Sequence, residues 1–275
     1  MIFVWFNTIA NFLGSIFLAP VAWMPGWLSL LLVSAICGVL TLLVFKHTSN
    51  QPAIRHTRRQ IQANLLALSL YKDSIRVSLQ AQGRILFNAG RLLVLSLVPM
   101  LVMLLPTCLL LGQLALWYQA RPLQVGEEAV VTVQLSKTAA RELKELQFTP
   151  GDCVTVTVGP VRVVTKQMVC WNIKAVEPGL HQLVFTASDQ QFGKELAVGD
   201  TLMPVSLQRP DASFADVLLH PRETPFAADS PVQSIEIAYP DRTSWIAGSD
   251  TWLISWFVLT MLFGLAARPL LKVDL

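Results

Sequence analysis

Of the 275 residues, 53% are hydrophobic and only 14% are charged, with a mean hydropathy of +0.51. Such a chain is too apolar to be solvated on all sides, which excludes an ordinary soluble enzyme. The formal net charge of +3 hides a division, because long charge-free stretches flank one segment of ordinary polar composition. The expected class is an α + β membrane protein with one water-exposed domain.

In chain order, residues 1–25 come first. Asn7, Thr8, Asn11 and Ser15 recur at helical spacing and would stripe an otherwise apolar helix. That pattern suits a helix lying in the outer interface, with a further span as the alternative. No basic residue precedes Lys46, so a signal peptide is not expected. Residues 26–45 and 92–118 are charge-free and long enough as helices to cross about 30 Å of hydrocarbon. Residues 251–267, between Asp250 and Arg268, make a shorter third span, followed by a tail over 268–275. Pro99 and Pro106 should bend the second span.

The connection over 46–91 carries eight basic side chains against Asp73, a net +7, whereas 119–250 carries 11 basic against 16 acidic residues, a net −5. Short loops rich in lysine and arginine stay cytoplasmic. The expected topology is therefore a cytoplasmic basic segment and C-terminus, with the N-terminus and the large domain outside. Trp23, Trp27, Trp117, Trp245 and Trp252 fall at the span ends this topology places outside, as interfacial aromatics should.

Between Thr57 and Asn88 there is no proline and one glycine, and Ile61, Leu65, Leu68, Ile75, Leu79 and Leu86 keep approximate heptad spacing. A helical hairpin or short coiled coil follows, turning near Tyr71–Ser74. Its Arg55, Arg58, Arg59, Arg76 and Arg84 are either a solvated face with a topology signal, or a contact for anionic lipid, ribosomal RNA or a nascent client.

From 119 to 250 period-two runs dominate: 129–135, 153–158, 161–165, 168–176, 181–186 and 234–239, with turn signals at Pro150-Gly151, Gly159-Pro160, Pro178-Gly179 and Gly199-Asp200. That spacing points to an antiparallel, immunoglobulin-like β-sandwich. Residues 138–146 read as a short helix or loop insertion. Cys37 and Cys108 lie within spans as packing residues, while Cys153 and Cys170 lie outside, where oxidising conditions would permit a disulfide. The four histidines show no metal-ligand spacing, and no nucleophile, phosphate-loop or metalloprotease motif occurs. No metal, cofactor or catalytic site is expected, nor DNA as a partner.

The order of 2–19, 26–45, Arg58-Arg59-Gln60-Ile61-Gln62-Ala63 through Ile85-Leu86-Phe87-Asn88, and Val98-Pro99-Met100-Leu101 through Leu105-Pro106 resembles the YidC/Oxa membrane protein insertase superfamily. The resemblance implies an outer interfacial helix, a span, a basic cytoplasmic hairpin and a second span, with the β-domain inserted before a third. It further implies a cytosol-open polar groove that receives hydrophilic parts of clients, often around an intramembrane arginine. That arginine is missing here. Thr41, Ser96 and Thr260 stand at comparable depth and would line the groove, or else bond their own helices or glue neighbours together. The expected function is assistance to insertion, folding or assembly of other membrane proteins at a bacterial inner membrane. Membrane lipids, client membrane proteins or the ribosome would be the partners. The alternative is a scaffold subunit of an envelope complex working through its β-domain with other membrane-complex subunits.

Overall fold

The three charge-free stretches fold as helices in a computed structural model of the chain: α1 (Gly26–Thr48), α3 (Ile75–Tyr118) and α6 (Thr251–Leu271), each long and apolar enough to cross a membrane. The structure describes residues 7, 11, 12, 14, 16, 18, 20, 24–70, 75–136, 142–187, 190–242, 251–271 and 273. It divides into two units, one of residues 1–29 and 108–254, the other of 30–107 and 255–275.

In the second unit the basic segment begins earlier than Thr57. Helix α2 spans Gln51–Leu70, with Asn50 Oδ1 accepting from the Ala53 N–H at 3.1 Å. Pro52 sits in the first turn, where its missing N–H costs nothing. The expected turn at 71–74 lies outside the described residues. No break separates the returning arm from the span at Arg91, because α3 runs on for 44 residues with Pro99 and Pro106 inside it. Nothing between Ile75 and Val98 breaks a helix.

The expected coiled-coil seam is not closed. Ile61 and Leu68 are half-buried, but Leu65, Ile75, Leu79 and Leu86 are exposed. The buried residues are instead Ile54 and Thr57 on α2 and Ala81 and Asn88 on α3, with Asn64 half-buried like Ile61. Helix α6 continues past Ala267 through Pro269 to Leu271, and Arg268 Nε donates to Val273 O at 3.1 Å.

In the first unit two antiparallel sheets share one core. The labels are β1 (Glu128–Leu135), α4 (Glu142–Glu145), β2 (Gln147–Thr149), β3 (Val154–Val163), β4 (Met168–Ala175), β5 (Gly179–Ala187), β6 (Gln190–Val198), β7 (Gln208–Arg209), α5 (Phe214–Leu219) and β8 (Val232–Ile237). One sheet has the order β3-β4-β1-β8-β7 and the other β2-β5-β6. Alternation supplies the core: Val131, Val133, Trp171, Ile173 and Ile235 from one sheet meet Leu183, Phe185, Leu196 and Val198 from the other. Each such side chain contributes roughly 1.5–3 kcal/mol on burial. Trp171 sits 5.5 Å from the Phe185 ring, and Tyr239 beyond β8 accepts from the β6 amide of Ala197 at 2.9 Å, tying the sheets together.

Gly159-Pro160 is not a turn between two strands. It lies inside β3, where the pairing with β4 slips twice. Gly159, at φ +134°, passes so close that a Cβ there would stand 2.8 Å from the Trp171 ring. Strands β2, β6 and β7 answer to no expected run. The expected disulfide is absent, because both cysteines are free. Cys153 lies beside Val176, whereas Cys170 pairs with Val161, six residues away along β4. That separation is about 20 Å at strand rise, far beyond the Cα–Cα reach of a disulfide, about 7 Å.

Among the interfacial tryptophans, Trp117 is buried, Trp27 is exposed, and Trp252 stacks on Tyr118 at 6.4 Å. Trp23 and Trp245 lie outside the described residues. Of the expected N-terminal polar stripe, Asn7 and Asn11 are helical and bonded into protein, while Thr8 and Ser15 also lie outside the described residues.

Candidate functional site

Helices α1 and α6 are apolar all round, so shape must decide how they pack. Gly38 supplies it. A Cβ there would stand 2.6 Å from Thr260 O and 3.0 Å from Gly264 N, so the two backbones are in contact. Leu42 and Phe45 pack on Ala267, Leu271 and Val273, and Lys46 Nζ donates to Leu271 O at 2.9 Å. Contacts advance together in both helices, so α1 and α6 run parallel. Lysine at the C-terminal end of α6 answers its unpaired carbonyls and partial negative charge.

The three expected groove residues have different surroundings. Thr41, one turn beyond Gly38, is exposed. Ser96 donates to Leu92 O at 3.0 Å, closing its hydroxyl on its own helix. Thr260 faces the α1 contact, and its Oγ1 is buried without a partner among the described residues, as is the hydroxyl of Ser34 one turn before Gly38. Sequence reasoning did not single out Gly38 or Gly264 as a contact. The available signal was a glycine near the middle of each of the two spans.

Arg55, Arg58, Arg59, Arg76 and Arg84 are all exposed on the arm formed by α2 and the first half of α3. Beside them the arm exposes Leu65, Leu66, Leu70, Ile75, Leu79, Leu86 and Phe87. The expected basic set is thus interleaved with large apolar side chains.

A second cluster, in the β-domain, was not anticipated. Lys194 on β6 is fully buried, with Nζ 2.5 Å from Glu223 Oε1, 2.6 Å from Ser206 O and 3.1 Å from Ser206 Oγ. Ser206 Oγ also bonds Glu223, and the Glu195 N–H donates to Glu223 Oε2 at 3.1 Å. Burial pushes the Lys194 ammonium below its usual range, and Glu223 opposes that shift. Arg222 binds Glu195 through two bonds of 2.7 and 3.1 Å, while Arg209 donates to Gly193 O and lies 4.3 Å over Phe226. A cavity of about 360 Å³ opens here between His181, Glu195, Arg209 and Glu223. Its carboxylates are already paired, Glu195 with Arg222 and Glu223 with Lys194, and Arg209 is held by Gly193 O and Thr224, so the geometry fastens the segments around 206 and 223 to β6.

No group of three or more histidine, cysteine or acidic residues is placed to hold a metal among the described residues. No family model, curated protein or solved structure matches the chain.

Proposed function

We propose that this chain is an insertase-like protein of a bacterial inner membrane, assisting insertion, folding or assembly of other membrane proteins. In this reading the basic arm and C-terminus are cytoplasmic, and the N-terminus and an immunoglobulin-like sandwich are extracytoplasmic. The observation that carries the reading is the arm's inverted surface. It hides Ile54, Thr57, Ala81 and Asn88, yet exposes Leu65, Leu66, Leu79, Leu86 and Phe87 among five arginines. An arm so apolar on its outside needs a partner. An emerging transmembrane segment supplies the matching apolar surface, and the acidic ribosome or anionic headgroups supply the charge. Helix α3 carries the arm on into the apolar stretch without a break.

Photocrosslinkers at Leu66, Leu79, Thr41 and Ser96 test the proposal on ribosomes stalled with short membrane-protein chains. The expected result is capture of the nascent segment from these sites, with several-fold weaker capture when Arg55, Arg58 and Arg59 are together changed to glutamine. Crosslinks confined to the β-domain, to stable folded partners, would overturn it in favour of a scaffold.

A further inference from the structure

The residues around α5 present an arrangement made for hydrocarbon rather than water. Asn7 is 6% exposed and Asn11 is half-buried on the N-terminal helical segment, whereas Phe12 and Ile16 on the same segment are 65% and 52% exposed. Leu18 on that segment is buried too, yet the burial of both amides beside exposed Phe12 and Ile16 is unlike a helix whose polar face meets water. The two amides have definite work. Asn7 Nδ2 donates to Val217 O at 2.5 Å, and Asn11 Nδ2 donates to Pro221 O at 2.7 Å. Asn11 Oδ1 in turn accepts from Gln113 Nε2 at 2.6 Å. Carbonyls at the C-terminal end of a helix lack intrahelical donors. Water satisfies them on an ordinary surface, and only protein groups can do so within a bilayer.

The level of this cluster along α3 is defined by Gly112, where a Cβ would stand 2.8 Å from Leu218 O. Gly112 lies six residues before Tyr118, about 9 Å along the helix. Tyr118, where the apolar stretch of α3 ends, bonds the Ser29 hydroxyl and stacks on Trp252. Two large side chains of α5, Phe214 and Leu219, are 53% and 61% exposed.

We infer that α5 is a membrane-embedded wedge of the β-domain, with Phe214 and Leu219 among the acyl chains of the leaflet that holds the Tyr118 end of α3. Asn7 and Asn11 supply the hydrogen bonds that water cannot. The inference rests on the reading that α3 crosses the bilayer, and its occupant is lipid rather than protein.

The test uses the full chain in phosphatidylcholine–phosphatidylglycerol vesicles, with its four cysteines replaced and an environment-sensitive fluorophore on Phe214→Cys or Leu219→Cys. Leu101→Cys in α3 and Val158→Cys on the exposed face of β3 serve as references. Labels at 214 and 219 should emit to the blue, be quenched by brominated acyl chains, and resist aqueous iodide several-fold better than the label at 158. Iodide access at 214 and 219 equal to that at 158, with 101 protected, overturns the wedge alone. Exposure at 101 as well overturns the span with it. A photocrosslinker at Phe214 in the otherwise native chain should attach to lipid, and a crosslinked dimer instead would overturn the assignment of the occupant.

Discussion

Lys194 is a buried cation whose value to the fold depends on Glu223. Removing only the ammonium by Lys194→Ala strands a carboxylate beneath β6, and the expected loss is about 3–5 kcal/mol of β-domain stability. The double change Lys194→Met with Glu223→Gln should lose far less, and unfolding followed by tryptophan fluorescence compares them. Lys194 also explains a missed strand. In β6 the inward positions read Phe192, Lys194 and Leu196, and a lysine in the middle of the alternation hides it from any reading that seeks apolar residues alone. Only the three-dimensional arrival of Glu223 and Ser206 makes that position inward.

At the scale of elements, the contact between α1 and α6 depends on one glycine more than the other. A methyl at Gly38 would meet backbone at 2.6 Å, whereas at Gly264 it would lie an ordinary 3.5 Å from Gly38 O. Gly38→Ala should therefore part the helices at a cost of about 1–3 kcal/mol, and Gly264→Ala should be tolerated. Oxidative crosslinking between Leu42→Cys and Ala267→Cys, in a chain otherwise free of cysteine, reports the difference: efficient with Gly264→Ala, impaired with Gly38→Ala. The sequence makes α1, α3 and α6 legible through absence of charge, and β1, β4, β5 and β8 through alternation. It misplaces the middle of β3, because Gly159-Pro160 spells a turn, yet the pairing absorbs it as a distortion beside Trp171. The heptad count likewise finds the arm but not its buried face. Ala81 and Asn88 lie inside, a choice on which spacing alone carries no information.

For the whole chain, the strongest expectation is that the arm and the β-domain lie on opposite sides of the bilayer. In inverted and right-side-out vesicles, a membrane-impermeant thiol reagent should label Leu66→Cys and Val158→Cys in opposite preparations, in a cysteine-free background. Labelling of both in one preparation would remove the topology on which the proposed function stands. The parallel course of α1 and α6 agrees with an odd number of crossings between them, supplied by α3. The three long apolar helices were readable from composition, since runs without charge stand out in the sequence. The site was much less so, because the Gly38 contact, the exposed leucines and the amide bonds of Asn7 and Asn11 depend on which face each helix turns inward. One further consequence belongs to α3. From Ile75 to Val98, before its first proline, it is one unbroken helix of about 36 Å that passes Arg91 without a joint. The arginine-bearing part and the start of the apolar stretch therefore turn as one piece.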